Sequence, residues 1–167
     1  MTPIGHTLTG LAMGTLVLPV HWSARAKTVT LAVFAILANT PDLPFPGWGH
    51  DRYHVSHSVF VTSVGVIATL LIVRIVDRGS RRVPAAMFVA GAMAWYSHLL
   101  LDTFYNHGQG LAIFWPLSDG RVALPIACFS TMKLGHIIGW HNLKVFTIEA
   151  VVYGALLALT LGLKASR

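Results

Sequence analysis

Charged side chains are scarce in this 167-residue sequence, where Asp, Glu, Lys and Arg together make up 11% of the residues. A soluble domain carries about 25% charged residues, so this chain lacks the side chains that would cover a water-facing surface. Hydrophobic residues make up 54% of the chain, which excludes an intrinsically disordered protein. The composition therefore predicts a membrane protein rather than a soluble enzyme of ordinary type.

Cysteine is also nearly absent from the sequence. The single Cys128 cannot form a disulfide within the chain, which excludes a small disulfide-stabilised scaffold and gives no evidence about compartment. The formal net charge of +6 comes from basic residues that flank apolar segments and form no continuous stripe. We therefore expect no nucleic-acid partner, and we infer no obligate protein partner.

Long runs without Lys, Arg, Asp or Glu predict the membrane helices. Residues 57–73, 83–101 and 145–163, the last interrupted by Glu149, approach the ~20 residues that cross the hydrocarbon core. Residues 8–20 form a further run, and residues 28–38 form one that is too short to cross alone. No Lys or Arg precedes position 25, and the lack of a positively charged start argues against a cleaved signal peptide. The expected fold is an all-α integral membrane bundle of four to five helices, forming one domain over residues 1–167.

The connections between these runs divide the charges between two faces. Basic residues concentrate in the connections 21–28 and 76–82 and at the C-terminus, which predicts that these segments are cytoplasmic. The 40–56 and 102–144 connections should then face outward, the second as a long loop carrying short helices. We therefore expect a multi-pass protein of the inner (cytoplasmic) membrane.

The same division gathers the titratable side chains on the outward face. Five of the six acids and eight of the nine histidines lie on the outward connections or at the helix ends nearest to them. Ionisable groups inside a membrane protein are costly and usually functional. Imidazole together with carboxylate is the ligand mixture for zinc and similar divalent ions. The distribution predicts a metal site that faces outward.

The clearest local signal is His98-Leu99-Leu100-Leu101-Asp102, at the outward end of a predicted helix. An i, i+4 pair projects from one helical face with Cβ atoms ~5–6 Å apart, so both side chains can reach one ion. A His–Asp hydrogen bond that ends the helix is an equally good interpretation of the pair taken alone. His54 and His57 form a second pair, three residues apart, and His54 could equally be an interfacial polar residue.

Two carboxylates add to this set. Asp42 lies between Pro41 and Pro44, which fix the backbone on either side of it, although an Asp in such a turn is also ordinary turn chemistry. Glu149 lies about one turn inside an apolar run, where an uncompensated carboxylate costs ~2.5–3.5 kcal/mol at the bilayer centre and less near the interface. It should therefore have a partner, which could be a metal, a histidine or a backbone donor.

Taken in order, these residues resemble those of the inner-membrane-associated metal-dependent hydrolases of YdjM type. The elements that carry the resemblance are spread over nearly the whole chain. They are His6 before a Gly-rich helix, Pro41-Asp42, His57-Ser58, His98-x-x-x-Asp102-Thr103, and Gly110 through Phe114-Trp115-Pro116-Leu117-Ser118. The family often has a second acid two residues after the first, where this chain has Pro44.

The order of these residues is also similar to the metal-ligand order of zinc-dependent phospholipase C, a helical secreted enzyme with clustered metal ions. The resemblance implies one or two divalent ions, zinc in the first place, with manganese or iron as alternatives. The metal ligands that it implies are His6, Asp42, His57, His98 and Asp102, with His54, His107, His141 and Glu149 as further candidates.

The resemblance implies a membrane-bound, metal-dependent hydrolase. Its substrate would be a phospholipid or another lipid-like phosphoester at the outward interface of the bilayer, cleaved by metal-activated water. Asp42 and Glu149 would be the catalytic carboxylates. Three alternatives stay open: a metal-ion or proton transporter, a b-type haem protein with two axial histidines, and a non-catalytic membrane protein with a structural metal site.

Overall fold

The elements that follow one another along the chain are helical. They are taken from a computed structural model, which describes residues 1–49, 52–76, 83–106, 110–133, 135 and 137–166. A 3-10 turn, Thr40–Asp42, continues the second helix, and within the described ranges there are two isolated bridges but no β-strand. The predicted all-α class is therefore confirmed. The six helices are α1 (Pro3–Val17), α2 (Ala24–Asn39), α3 (Tyr53–Ser56), α4 (Val59–Val76), α5 (Ala85–Asp102) and α6 (Trp140–Ala165).

Two of these helices, α4 and α6, are long and apolar enough to cross a membrane. Only 11% of the apolar window in α4 and 22% of that in α6 is buried inside the bundle, so most of their apolar side chains face outward. Helices α1 and α2 have 15 and 16 residues, fewer than the ~20 that span a bilayer. The structure thus gives two candidate spans, and four to five crossings remain a prediction.

Helix α1 occupies the centre of the bundle, where it packs against α2, α5 and α6. Small residues make this possible, because they let helix backbones approach each other closely. Gly5, Gly10 and Gly14 are buried, and a Cβ atom added to Gly10 would lie 2.5 Å from the Phe34 carbonyl oxygen. The close packing of α1 fixes its height in the bundle and, with it, the position of His6 in its first turn.

Replacing Gly10 with alanine should lower the free energy of unfolding by about 1–3 kcal/mol, because α1 and α2 must move apart to admit the methyl group. Gly154→Ala in α6 is the matched control, since its Cβ would meet no neighbouring atom within 4 Å in the part of the chain that the structure describes. Equilibrium unfolding in mixed micelles, followed by circular dichroism, measures both. Equal stability of the two variants would contradict the close packing of α1 on α2.

The segment between α5 and α6 is held by short backbone contacts. Bridges pair Tyr105 with Phe129 and Leu111 with Val122, and the Val59 amide donates to the Ile113 carbonyl 2.8 Å away. We expected short helices in this loop; its described residues form mainly turns, bends and bridges, with 3-10 conformation at Gly135, and the short helix α3 and a further 3-10 turn lie in the 40–56 connection. Prolines and Gly110, whose φ is +85°, oppose helix formation here. Helix α6 also begins at Trp140, five residues before the predicted start.

Candidate metal centre

Five of the predicted ligands lie together at one end of the bundle. His6 is in the first turn of α1, Asp42 ends the 3-10 turn after α2, and His57 lies between α3 and α4, while His98 and Asp102 are in the last turns of α5. The side chains of the three histidines are 0% exposed, that of Asp102 is 2% exposed, and that of Asp42 is 13% exposed. Residues that are far apart in the sequence therefore share one buried polar cluster.

Two imidazole nitrogens and two carboxylates face one another at the centre of this cluster. His57 Nε2 lies 3.5 Å from Asp42 Oδ1 and 3.4 Å from Asp102 Oδ2. His98 Nε2 lies 3.6 Å from Asp42 Oδ2 and 3.6 Å from Asp102 Oδ2, and the two nitrogens are 3.2 Å apart. Ligands at ~2.0–2.1 Å from a tetrahedral zinc ion are about 3.4 Å from one another, so this arrangement has the dimensions of a metal site.

The outer nitrogens of both rings are held by backbone carbonyls. Nδ1 of His98 lies 2.8 Å from the Ala38 oxygen, and Nδ1 of His57 lies 3.2 Å from the Tyr53 oxygen. Because a carbonyl only accepts hydrogen bonds, Nδ1 of His98 carries the hydrogen, which leaves its Nε2 as the lone-pair atom of the neutral ring. Nδ1 of His57 also lies 2.9 Å from the Ser56 hydroxyl, which can donate or accept, so His57 can present either tautomer. Such hydrogen bonds fix the tautomer and orientation of metal-binding histidines. The two Nε2 atoms face each other 3.2 Å apart, so they can share a proton or bind one cation together.

The charges of the cluster shift the pKa values of Asp42 and His57, which both lie outside the long helices. Burial raises the pKa of Asp42, but the hydrogen bond with His57 and the nearby His98 and His57 rings outweigh it and bring this pKa to about 2. Burial lowers the pKa of His57, and hydrogen bonds with Asp102 and Asp42 outweigh it, so this pKa is raised. The two shifts come from the attraction between the carboxylates and the imidazoles, because the rings stabilise ionised Asp42 and the two carboxylates stabilise positive charge on His57.

His6 faces the other oxygen of Asp102. Its Nε2 atom lies 3.3 Å from Asp102 Oδ1, and its ring stacks on that of His98 with centroids 3.5 Å apart. Among the residues that the structure describes, neither ring nitrogen of His6 makes a hydrogen bond of acceptable geometry. The Met1 amino nitrogen lies 2.6 Å from the same Asp102 oxygen. A buried imidazole without hydrogen bonds is costly, and a cation between His6 and Asp102 would remove that cost.

Geometry thus gives two overlapping groups of residues that could hold a metal ion, His6–His98–Asp102 and Asp42–His57–His98, with the ligand atoms of each group within 4.8 Å of one another. Asp102 uses Oδ2 toward His57 and His98 and Oδ1 toward His6. A carboxylate placed in this way can bind one ion or bridge two. The donor set of imidazole and carboxylate fits zinc, and it also fits manganese or iron.

The other predicted histidines lie apart from these five residues. His54 is exposed, and its ring meets the Trp115 ring edge-on with centroids 5.3 Å apart. His141 is exposed too, and its Nε2 atom lies 2.9 Å from the Thr131 carbonyl oxygen. His107 lies outside the described residues.

Glu149 accepts hydrogen bonds from backbone donors, which are one of the three kinds of partner that we expected for it. Its carboxylate, in a side chain that is 1% exposed, accepts hydrogen bonds from the Thr2 amide at 2.9 Å and from the Gly5 amide at 3.1 Å. The Thr2 hydroxyl also donates to it. The carboxylate is therefore bound to the first turn of α1 and lies outside the two groups of candidate ligands.

The structure adds Tyr53 to the residues of the cluster. Its hydroxyl donates to Asp102 Oδ2 at 3.3 Å, and its ring stacks on that of His57 with centroids 3.7 Å apart. Burial raises the pKa of Tyr53 and the charge of Asp102 raises it further, so the phenol keeps its proton as a donor. The spacing of Tyr53 and His57, four residues apart, was a signal that could have indicated this contact.

Comparison with protein families gives a match over nearly the whole chain. The family model described as YdjM inner membrane protein covers residues 1–166, and this range contains all five clustered candidate ligands and both candidate spans. Comparisons with curated proteins and with solved structures give no match. The chain therefore belongs to the YdjM inner membrane protein family.

Proposed function

We propose that this protein is a membrane-bound metal-dependent hydrolase that cleaves a phosphoester in a lipid-like substrate at the outward interface of the inner membrane. The observation that carries the proposal is the pair of imidazole nitrogens, 3.2 Å apart, that face each other between two carboxylates. Their outer nitrogens both lie within hydrogen-bond distance of carbonyl groups, and that of His57 also lies 2.9 Å from the Ser56 hydroxyl. This arrangement resembles a preformed ligand set more than a hydrogen-bonded network.

His57, His98, Asp42 and Asp102 would hold one divalent ion, and His6 would hold a second together with the other oxygen of Asp102. A bound divalent ion supplies water activation and polarisation of the ester at such a site. The chain supplies the rest: Tyr53 holds Asp102 in place, and the carbonyl groups of Ala38 and Tyr53 hold the two rings. Asp42, the most exposed of the five ligands, is placed to receive a proton or to bridge two ions.

An apolar cavity of about 240 Å³ between α2, α4 and α5 supports a lipid-like substrate. Leu37, Val66, Gly91 and Trp95 are among the residues that line it. Leu37 precedes the Ala38 carbonyl that binds His98, and Trp95 lies about one turn before His98 on α5. An acyl chain in this cavity would therefore place its polar end next to the metal centre.

Two alternatives make different use of the same residues. A non-catalytic structural metal site is favoured by the near-complete burial of His57, His98 and Asp102, because structural sites are closed. A metal or proton transporter would need polar groups that lead from the centre across the bundle. The cavity below the centre is lined mainly by apolar side chains, which favours the hydrolase over the transporter.

Metal analysis followed by a substrate screen tests the proposal. We expect one or two divalent ions per chain in protein purified in mild detergent, by inductively coupled plasma mass spectrometry. Chelation should abolish hydrolysis of a phospholipid or an aryl phosphoester, and zinc, manganese or iron should restore it. Protein that retains no metal would refute the metal centre. Protein that retains metal but hydrolyses no substrate class would support the structural metal site instead.

A further inference from the structure

Helix α6 carries two charged residues that reach the two ends of α1. Near the start of α1, Glu149 accepts hydrogen bonds from the Thr2 and Gly5 amides at 2.9 and 3.1 Å. At the other end, the Lys164 ammonium donates to the Thr15 carbonyl at 2.8 Å and also to the Leu18 carbonyl. Glu149 and Lys164 therefore make hydrogen bonds with backbone groups at the ends of α1, where the hydrogen bonds within a helix leave such groups without partners.

The spacing of the pair matches the length of α1. Glu149 and Lys164 are separated by 15 residues, which is about 22 Å along a helix, and the 15 residues of α1 have the same length. The contacts also show that α1 and α6 run in the same direction, because the lower-numbered residue of α6 meets the lower-numbered end of α1. The dipoles of parallel neighbouring helices repel each other, so packing alone does not favour this pairing.

The signs of the two charges oppose that repulsion. A helix is positive at its N-terminus and negative at its C-terminus, and the carboxylate lies at the first end of α1 while the ammonium lies at the second. Glu149 is 1% exposed and Lys164 is half-buried, so solvent screens these contacts less than it would at a surface. Both charges would be costly in an apolar helix without these partners.

The contact of Glu149 with α1 lies beside a metal ligand. Gly5, whose amide donates to Glu149, directly precedes His6, and a Cβ on Gly5 would lie 2.9 Å from Glu149 Oε2. The first turn of α1 therefore packs directly against the Glu149 carboxylate. On the same turn, His6 Nε2 is held 3.3 Å from Asp102 Oδ1.

We propose that Glu149, assisted by Lys164, is a positioning residue that holds α1 in the register at which His6 reaches the metal centre. This inference rests on the proposed metal centre, and it assigns Glu149 to the support of a ligand through a helix end. Groups that support ligands in this way affect metal affinity by about 10- to 100-fold. A side chain that only stabilises the fold would leave the affinity of the folded protein unchanged.

The test is a double-mutant cycle on the full chain in lipid nanodiscs, with zinc affinity measured by competition against a chromophoric chelator. Glu149→Ala should weaken zinc binding about 10-fold or more, and Glu149→Gln, which keeps one acceptor oxygen, should weaken it less. In a His6→Ala background, Glu149→Ala should change the affinity less than about 2-fold, because the residue acts through His6. If the losses of affinity from Glu149→Ala and His6→Ala are additive, Glu149 acts independently of His6 and the inference is overturned.

Lys164→Met and Lys144→Met form a matched pair on the same helix, since Lys144 is exposed and its ammonium lies over the Trp140 ring, 5.6 Å from the ring centroid. The first should weaken zinc binding about 2- to 5-fold, and the second should have no effect. Amide hydrogen exchange of residues 2–10, measured without metal, should be faster in Glu149→Gln than in the wild type.

The failure of this inference differs from the failure of the metal centre. If the wild-type chain binds zinc and the Glu149 variants bind it equally well, the inference is wrong and the metal centre stands. If the wild-type chain binds none of zinc, manganese and iron, both are wrong. Unchanged exchange of residues 2–10 in Glu149→Gln would also count against the inference, whatever the zinc result.

Discussion

Replacing Asp102 with asparagine should lower zinc affinity by at least about 100-fold while the helices remain folded. Asp102 lies near three imidazole nitrogens, 3.3 Å from that of His6, 3.4 Å from that of His57 and 3.6 Å from that of His98. The amide removes the negative charge and turns one oxygen into a donor that an ion cannot bind. Since changes in the groups behind a ligand already cost about 10- to 100-fold, loss of the shared ligand should cost more.

The side chains of Asp and Asn have nearly the same size, so this substitution leaves no cavity. Asp119→Asn, in the exposed part of the loop before α6, makes the same chemical change away from the cluster and should bind zinc as the wild type does. Competition with a chromophoric chelator gives the affinities, and far-UV circular dichroism shows whether the helices persist. Wild-type zinc affinity in Asp102→Asn would remove Asp102 from the ligand set.

The sequence predicted the members of the cluster that carry strong local patterns. The i, i+4 spacing of His98 and Asp102 placed both side chains on one face of α5, as the structure shows. Pro41 and Pro44 fixed the backbone around Asp42, and the structure turns that carboxylate toward His57 and His98. The convergence of distant ligands could be predicted because charged side chains have few places in an apolar bundle.

The remaining contacts depend on packing that local sequence does not specify. Glu149 could have met a metal, a histidine or a backbone donor, and only the register of α6 beside α1 placed it at Thr2 and Gly5. His54 is three residues from His57, but its side chain is exposed and its ring lies against Trp115, so the spacing alone does not bring it to the cluster. The central place of α1 follows from glycines that fit against Phe34, and a pattern within one helix does not identify the helix that it meets.

The two candidate carboxylate ligands differ in their exposure, and we therefore expect different roles for them in holding the ion and in meeting the substrate. Asp102 is 2% exposed and lies within 3.6 Å of three imidazole nitrogens, so it belongs to the interior of the centre. Asp42 is 13% exposed and lies near two of them. A ligand that retains contact with the exterior can meet a substrate, whereas a fully enclosed ligand can only hold the ion.

Replacing Asp42 with asparagine should therefore reduce hydrolysis more than it reduces metal binding. The turnover of a phosphoester should fall about 10²- to 10⁴-fold, the range for a lost acid–base group, while zinc affinity should fall by only about 10-fold. His57, His98 and Asp102 remain to hold the ion, and the asparagine oxygen can still bind it weakly. The asparagine side chain carries no negative charge and cannot receive a proton, and this is the property that the proposed reaction loses.

Turnover should be measured at a zinc concentration that saturates Asp42→Asn, so that lost activity cannot reflect lost metal. Asp119→Asn again reports the effect of the same chemical change outside the centre. If Asp42→Asn hydrolyses the substrate at the wild-type rate when saturated, Asp42 serves only as a ligand. If zinc affinity instead falls as far as in Asp102→Asn, the two carboxylates hold the ion equally and the proposed difference between their roles is wrong. A structural metal site would show neither pattern, because its wild-type protein would bind zinc without turnover.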